Sequence, residues 1–337
     1  MEWTVGRGNS MNIYLFARKI IQILVLILVM SVVLFVIFRL MPGNPAELFL
    51  IGAKGKNLPP GELKAIEASL GLAGGKWSFT GFLIYMRDMF TFNFGYDYYR
   101  QESVMQVISS AMPYTLLLLG TAAVLSFIFG LPIGIIATWM RGKKSEAVIN
   151  TSSLLLSSIP YFVLAIMLYV YFVAYFRIFP VRSGFPAYYL THFSLSDVEY
   201  VMYKMALPLL SLVFIEIAAH VLTMRAAMVS VLGEDFITTA RAKGVPERTI
   251  MFHHAARNAM IPISTRMALE FALLTSGAVI VEIIFSWPGI GHKLYDATLT
   301  EDYPLSEGAL FVISLIVILV YSALDFIHAW IDPRISL

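Results

Sequence analysis

The stretch IIQILVLILVMSVVLFVIF, residues 20–38, decides the class of fold, because it is apolar apart from one glutamine and one serine and carries no charge. A helix that crosses a bilayer needs about 20 predominantly apolar residues. This run is too long for the apolar core of a signal peptide, and no small-residue cleavage site follows it. We therefore predict a retained transmembrane helix here.

The whole chain has the composition of an integral membrane protein. Its 337 residues are 58% hydrophobic and only 14% charged, with a mean hydropathy of +0.76, whereas soluble domains carry about 25% charged residues. The net charge of +2 argues against a nucleic-acid partner. Because the chain has no cysteine, disulfides, thiolate metal sites and cysteine nucleophiles are excluded.

Five further stretches are long and apolar enough to cross the membrane. We predict an all-α membrane protein whose six transmembrane helices cover 20–38, about 114–139, 148–176, 205–229, 263–285 and 308–330. The expected division of the chain is an N-terminal segment with the first span, 1–38, an extramembrane segment, 39–112, and a five-span core, 113–337.

The orientation follows from basic residues in the short loops, which favour the cytoplasmic side. These residues precede the first span, occupy the turn after the second and recur in the loop after the fourth. The loop 286–307 instead carries one lysine against four acidic residues. We therefore expect both termini and the loop 230–262 in the cytoplasm, and the segment 39–112 outside.

The external segment 39–112 combines helix-breaking prolines with many aromatic residues. Pro42 and Pro45 end the first span, an amphipathic helix is predicted over 59–72, and aromatic side chains crowd 77–99. These aromatics fit either an interfacial belt at the membrane surface or a docking surface for an external partner.

The cytoplasmic loop contains TTARAKGVPERTIMFHHAARNAMIP, residues 238–262, a charged and helix-prone island between apolar spans. Gly244 predicts the end of a first helix, because glycine tolerates the left-handed conformation at a helix C-terminus. Pro246 and Glu247 suit the first turn of a second helix, which would run to Pro262. Two short helices at an angle form either a projection that a soluble partner grips or a basic interfacial helix resting on anionic lipid.

The sequence contains no complete catalytic or nucleotide-binding motif. The segment GAKGK at 52–56 lacks the spacing of a phosphate-binding loop, and neither a His-Glu-x-x-His zinc motif nor a nucleophile elbow occurs. His253 and His254 are adjacent and diverge on a helix, so they make a poor metal pair. We therefore expect no catalysis, metal or cofactor, and an energy source that is either an ion gradient or another polypeptide.

Several motifs, in order along nearly the whole chain, resemble those of ABC-transporter permease subunits of the dipeptide and oligopeptide type. The island is similar to the loop by which these permeases contact their ATPase. The other matching segments are FRLMPGNPA (38–46), FGYDY (94–98), AMPYTLLLLG (111–120), VEIIFSWPGIGHKLYDA (281–297), EDYP (301–304) and DPR (332–334). Two departures are Thr238-Thr239-Ala240 in place of Glu-Ala-Ala, which voids any role of that glutamate, and the unusual linker LAGGKWSF at 72–79.

The resemblance implies half of a translocation pathway in a prokaryotic cytoplasmic membrane, for peptides or similar small solutes. Its implied partners are a second permease subunit, two ATPase subunits and an extracytoplasmic substrate-binding protein, with membrane lipid around them. The residues implied to couple to the ATPase are Thr239, Ala240, Arg241, Ala242, Lys243, Gly244, Val245, Pro246, Glu247 and Arg248. Because Gly244 would set the angle between the two helices, a side chain there is expected to cost about 1 kcal/mol or more.

Ionisable residues within the predicted spans are candidates for the lining of the pathway, since such groups usually face a cavity or a partner. Glu216 and His220 are four residues apart and share a helix face, while Glu270 and Asp325 lie in the fifth and sixth spans. Each fits either contact with cargo or a structural pair between helices. A structured turn near the outer gate is expected at Glu282, Trp287, Pro288 and Gly289.

Two other classes of function stay open. An ion-coupled secondary transporter would use the four intramembrane ionisable residues as a relay, although no repeat of spans is visible. A non-transporting membrane scaffold would use the island to recruit a soluble partner. The sequence leaves the cargo open among peptides, oligosaccharides, metal chelates and other solutes, and it leaves open whether identical or different permeases pair.

Overall fold

The structure is a computed structural model that describes residues 8–40, 77–97, 99–191 and 194–331, which are mostly helical. The helices are α1 (Gly8–Leu40), α2 (Phe79–Phe90), α3 (Val104–Trp139), α4 (Lys144–Ser157), α5 (Tyr161–Leu168), α6 (Tyr188–Thr191), α7 (Leu195–Val231), α8 (Asp235–Ala242), α9 (Glu247–Thr249), α10 (Ala256–Ile284), α11 (Ile290–Leu299) and α12 (Tyr303–Ile331). Two π-helical segments, Tyr169–Tyr175 and Ile250–Ala255, follow α5 and α9. Strand β1 (Tyr96–Asp97) pairs antiparallel with β2 (Glu102–Ser103).

Four helices, α1, α3, α7 and α12, are long and apolar enough to cross a membrane. The bent pair made by α4 and α5 with its π segment is a fifth candidate. Helix α10 covers the predicted fifth span. Among its described residues, the apolar stretch Leu274–Ile284 is shorter than a candidate span. The protein is therefore an all-α membrane protein with four to five candidate spans in the part that the structure describes.

The third predicted span, 148–176, is not the single helix that the hydropathy indicates. Helices α4 and α5 meet at 94°. Pro160, which precedes α5, has no amide donor and disfavours helical geometry at Ile159. The hydroxyl of Ser158 donates to the carbonyl of Leu154 at 2.7 Å, which satisfies a backbone group at the break.

Two other helices start about three turns before their predicted spans, since α3 begins at Val104 and α7 at Leu195. The hydroxyl of Ser194 caps α7 by accepting the amide of Asp197 at 3.2 Å. Hydropathy marks the most apolar part of a helix, whereas the first turns of α3 and α7 mix polar residues with apolar ones. Pro208 lies inside α7 without ending it.

The described residues form two compact units. One contains the residues up to Pro113 together with Gly289–Ser322, and its core includes Tyr85, Ile108 and Phe311. The other is built on Tyr114–Pro288 and has two cores, one around Leu118, Leu212 and Trp287 and one around Met224, Met228, Ile237 and Ile250. The expected helix at 59–72 and the motif at 332–334 lie outside the described residues.

Candidate functional site

The first half of the coupling loop, which we define as residues 230–262, is α8 and the turn that ends it. The amide of Gly244 donates to the carbonyl of Arg241 at 3.0 Å, and that of Val245 donates to Ala240 at 3.1 Å. Together with a φ of +76° at Gly244, these bonds make a Schellman turn. The predicted helix stop and left-handed glycine are therefore present. A Cβ at Gly244 would meet nothing within 4 Å, so any penalty for a side chain there comes from the backbone alone.

An ion pair joins the two ends of this turn. The guanidinium of Arg241 contacts both carboxylate oxygens of Glu247, with Nη2–Oε1 at 2.6 Å and Nε–Oε2 at 3.2 Å. The hydrogen bond from Arg241 lowers the pKa of Glu247 and raises that of the arginine. Because both side chains are about half-exposed, the pair adds about 1 kcal/mol or less to stability. Its effect is to hold α8 and α9 at one angle.

The second half of the coupling loop differs from the prediction. Instead of a short helix that ends at Pro262, α9, the π segment and α10 follow one another without an intervening turn. A proline removes one amide donor and bends a helix, but within a membrane protein it need not end one. The loop is therefore an α8 arm joined by a turn to a long helical segment that leads directly into the predicted fifth span.

The buried side of the coupling loop anchors it to α7. Ile237 and Ile250 are fully buried in the cluster that contains Met224 and Met228 of α7. The opposite side is open. The residues implied to couple to an ATPase are exposed there, except for half-buried Ala240 and Val245. The loop thus presents a rigid projection with an apolar base.

The turn between α3 and α4 is tied to α7 by a glutamate that sequence reasoning missed. Oε1 of Glu146 accepts hydrogen bonds from Nε and Nη2 of Arg225 at 3.0 and 2.6 Å. Oε2 of Glu146 accepts a hydrogen bond from the amide of Gly142 at 2.6 Å. A charge-assisted pair of this kind fixes the relative position of the two elements. The residues are 79 apart in sequence, so no local pattern indicated the contact.

A Gly-x-x-x-Gly pattern at 130–134 lets α3 and α7 approach closely, and this signal was available in the sequence. A Cβ at Gly130 would lie 2.6 Å from the Cβ of His220, and one at Gly134 would lie 2.6 Å from that of Met224. Small residues four apart permit such backbone contact between membrane helices. The pattern therefore positions α7 and the polar residues on it.

Among the candidate pathway residues, Glu216 and His220 are both buried on α7. The hydroxyl of Tyr161, at the start of α5, donates to Glu216. The ring of His220 meets that of Phe127 edge-on at 6.2 Å. Tyr161 itself packs on Gly277 of α10, where a Cβ would lie 2.6 Å from its ring. The side chains of Glu270 and Asp325 lie outside those that the structure describes.

The expected outer turn is built around a buried tryptophan. Trp287 is fully buried, and its indole Nε1 donates to the carbonyl of Tyr114 at 3.0 Å. The amide of Trp287 donates to the carbonyl of Glu282 at 2.8 Å, and the carboxylate of Glu282 accepts the hydroxyl of Thr115 at 2.7 Å. Pro288 abuts Gly184, and Gly289 caps α11. Glu282 and Trp287 thus hold the turn in place.

The motifs FGYDY (94–98) and EDYP (301–304), singled out only by resemblance, each contribute one aspartate, Asp97 and Asp302, to a buried pair of carboxyl groups. Asp97 accepts the amides of Tyr99 and Arg100, each at 2.9 Å, and the Nη1 atom of Arg100 at 2.8 Å. Asp302 accepts a hydrogen bond from the amide of Leu305 at 3.1 Å through Oδ1, and its carboxyl lies near that of Asp97. Both side chains are almost fully buried.

The two carboxyl groups differ in proton affinity. Burial, and then the charge of Asp97, raise the pKa of Asp302 to about 7. Burial opposes ionisation of Asp97 as well, but the hydrogen bonds from Arg100 hold its pKa below the usual value. Asp302 therefore binds a proton more tightly than Asp97 does.

These features define the class of the protein as a helical membrane protein with an exposed loop anchored at its base and no nucleotide-binding motif of its own. Comparison of sequences gives the family. Residues 130–337 match the family described as "Binding-protein-dependent transport system inner membrane component", and residues 11–119 match "Binding-prot-dependent transport system membrane comp, N-term". The chain belongs to this family.

Relatives match over almost their full length. A putative peptide permease protein of Brucella ovis is 33% identical over 92% of this chain and 95% of the relative. A glutathione transport system permease protein of Escherichia coli is 30% identical over 94% and 97%, respectively. A dipeptide transport system permease protein of Alkalihalophilus pseudofirmus is 28% identical over 95% and 98%.

Family membership confirms the resemblance and decides among the three classes of function. The chain is a permease subunit of an ABC transporter and a multi-pass protein of a prokaryotic cytoplasmic membrane. The family is one of transport subunits rather than enzymes, and its members work with ATPase and substrate-binding components. The ion-coupled carrier and the scaffold find no support in these comparisons.

Proposed function

We propose that this subunit forms half of the translocation pathway of an ATP-driven importer of peptides. It pairs with a second permease subunit above two ATPase subunits and receives cargo from an extracytoplasmic binding protein. The names of the relatives, which include peptide, dipeptide and glutathione permeases, support peptide cargo.

The coupling loop carries this proposal. Its ten coupling residues, Thr239–Arg248, form a projection that is held by the Schellman turn at Gly244 and the Arg241–Glu247 pair. Closure of an ATPase dimer would displace the projection, and α10 would carry the displacement into the fifth span. The tight α3–α7 contact would carry it to the second and fourth spans.

We further propose six spans with both termini in the cytoplasm, and the division 1–38, 39–112 and 113–337. The charge distribution of the loops supports this orientation. Glu216, His220, Glu270 and Asp325 are proposed to line the pathway. Glu282, Trp287, Pro288 and Gly289 are proposed to form the turn at its outer gate.

Reconstitution tests the function. The chain would be co-purified with the second permease and the ATPases encoded in the same genome and incorporated into proteoliposomes. With the binding protein outside and ATP inside, we expect accumulation of a labelled tripeptide. Oligosaccharide and a nickel chelate, each offered with the same binding protein, serve as alternative cargoes.

A complex whose ATPase binds but does not hydrolyse ATP is the matched control, and it should abolish uptake. Uptake that persists in this control and follows an ion gradient would contradict the proposal. Transport of one of the alternative cargoes in place of the peptide would refute the cargo while keeping the mechanism.

A further inference from the structure

A cavity of about 590 Å³ lies beside the coupling loop, between the end of α3, the end of α7 and the π segment. Its lining is mixed: Val229, Leu232 and Met251 contribute apolar surface beside polar and charged side chains. Its rim carries Arg141 and Lys143 from the α3–α4 turn on one side, and the Arg241–Glu247 pair of the coupling loop on the other. A cavity of this size is large enough to hold several side chains or a small molecule.

The rim has a surplus of positive charge. Arg241 is neutralised by Glu247, but Arg141 and Lys143 make no ion pair or side-chain hydrogen bond within the described part of the chain. Glu146, in the first turn of α4, is paired with Arg225, and Arg141 acts on it only as a nearby charge. Two cations that form no ion pair, beside the apolar side chains of Val229 and Met251, suit an occupant with an apolar tip and acidic flanks.

Contacts within the protein hold both walls of the cavity in place. The α3–α4 turn is held to α7 through Glu146, and the coupling loop is held in shape by its own ion pair and buried base. A preformed site loses little conformational freedom on binding, which favours affinity. We call this preformed cavity the socket.

We propose that this socket is a second contact site for the ATPase, which inserts into it an apolar side chain flanked by carboxylates. The inference rests on the proposed coupling function, since one wall of the socket is the coupling loop itself. A partner that contacts the projection on its outer side lies next to the rim formed by Arg241 and Glu247. Occupancy would connect the α3–α4 turn, and with it the second and third spans, to movement of the ATPase.

The test measures affinity of the ATPase for the intact permease pair in nanodiscs of phosphatidylcholine alone. The double variant Arg141→Glu/Lys143→Glu, and each of its single variants, is compared with Lys144→Glu, a control at the first residue of α4 that does not line the socket. We expect the double variant to bind at least about tenfold more weakly and with a shallower dependence on salt. The control should stay within about twofold of the wild type.

A second variant keeps the charge and removes the space. Val229→Phe should fill part of the socket and weaken ATPase binding without changing its salt dependence. Extraction and monodispersity of each variant show that the fold is retained. Wild-type affinity in both the double variant and Val229→Phe would overturn the proposal.

A lipid occupant is the competing outcome. If nanodiscs with added phosphatidylglycerol strengthen ATPase binding in the wild type alone, while affinities in phosphatidylcholine are equal, the socket binds an anionic headgroup and the proposal is wrong. Failure of the wild-type permease to bind the ATPase at all would instead refute the proposed function. The two failures are thus distinguishable.

Discussion

Gly244 is the residue on which the shape of the coupling loop depends. Its φ of +76° is one that residues with a side chain rarely adopt, and both bonds of the Schellman turn require it. The surroundings leave room for a side chain. A substitution there therefore isolates the effect of backbone conformation from that of steric contact.

We expect Gly244→Val to insert into the membrane normally, to distort the turn at a cost of about 1 kcal/mol or more, to weaken ATPase association and to abolish uptake. Gly244→Asn is the matched control, because asparagine tolerates the left-handed conformation, and it should retain most of the uptake. Co-purification of the ATPase and peptide uptake are the measurements. Unchanged uptake in the valine variant would show that the loop does not couple.

Glu216 is the second residue with a role that substitution can define. Its carboxylate accepts the hydroxyl of Tyr161, so the residue has a structural partner whether or not cargo touches it. We expect Glu216→Gln to assemble normally and to alter cargo-stimulated ATP hydrolysis severalfold, because an ionisable group is replaced by a neutral one while the shape is kept.

Tyr161→Phe is the control for this prediction, since it removes only the hydroxyl that Glu216 accepts. If the two variants behave alike, the effect of Glu216→Gln comes from a weakened contact with Tyr161 rather than from the pathway. Wild-type hydrolysis in both variants would reduce Glu216 to a structural residue.

At the scale of elements, the contact between α3 and α7 depends on two glycines of one helix. At Gly134 a Cβ would come within 2.6 Å of the Met224 Cβ and 2.9 Å of the Val221 carbonyl oxygen, whereas at Gly120 nothing lies within 4 Å. Alanine is also a better helix former than glycine by about 1 kcal/mol. Substitution by alanine is therefore expected to have opposite effects at Gly134 and at Gly120.

We expect Gly134→Ala to destabilise the protein by about 1–3 kcal/mol through overpacking. Gly120→Ala should be neutral or stabilising by up to about 1 kcal/mol. Thermal unfolding of the detergent-solubilised protein measures both. Equal midpoints for the two variants would mean that the helices separate easily at this point.

The hairpin β1–β2 and the start of α12 are joined by the carboxyl pair of Asp97 and Asp302, and this junction is predicted to respond to pH. The pKa of Asp302 is about 7 in the folded junction and near 4, its ordinary value, when the junction opens. Between these two values the folded junction keeps a proton that the open one loses. Stability of the junction therefore falls as pH rises from about 4 to about 7 and is level above that. The lowered pKa of Asp97 acts oppositely, with stability lost only as pH falls below about 4.

Hydrogen exchange of residues 96–103, corrected for the intrinsic pH dependence of exchange, measures this response. Protection should decrease between about pH 5 and about pH 7 in the wild type. This pH window follows from the raised pKa of Asp302, about 7. Asp302→Asn, which keeps a hydrogen-bond donor and cannot ionise, should show a flat profile. A falling profile in the asparagine variant would assign the effect to another group, of which His292 and Asp296, near Arg100, are the first to test.

At the scale of the whole molecule, the absence of cysteine makes the topology directly measurable. Single cysteines at exposed Thr238, Leu195 and Leu299 would each be the only thiol in the chain. With a membrane-impermeant thiol reagent added to intact cells, we expect labelling at 195 and 299 but not at 238. In inverted vesicles the pattern should reverse, and labelling of all three from one side would rule out the proposed arrangement.

The long helices were predictable because their apolar side chains must avoid water, which writes a continuous signal into the sequence. The stop at Gly244 was predictable for a similar reason, since a local backbone conformation selects a residue type. The break at Pro160 shows the limit of this approach: the proline is visible, but the hydropathy of 148–176 does not reveal a 94° bend. The continuation past Pro262 shows the reverse case, in which a visible breaker does not end the helix.

The sequence by itself determined that this is a helical membrane permease whose motor is a separate protein, because composition, loop charge and motif order are properties of the chain as written. The tertiary structure alone decided which polar residues meet. The pairs Glu146–Arg225, Tyr161–Glu216, Thr115–Glu282 and Asp97–Asp302 join residues that are 55 or more positions apart. No local periodicity encodes such contacts, since they arise only when helix packing brings distant segments together and burial makes each polar group require a partner.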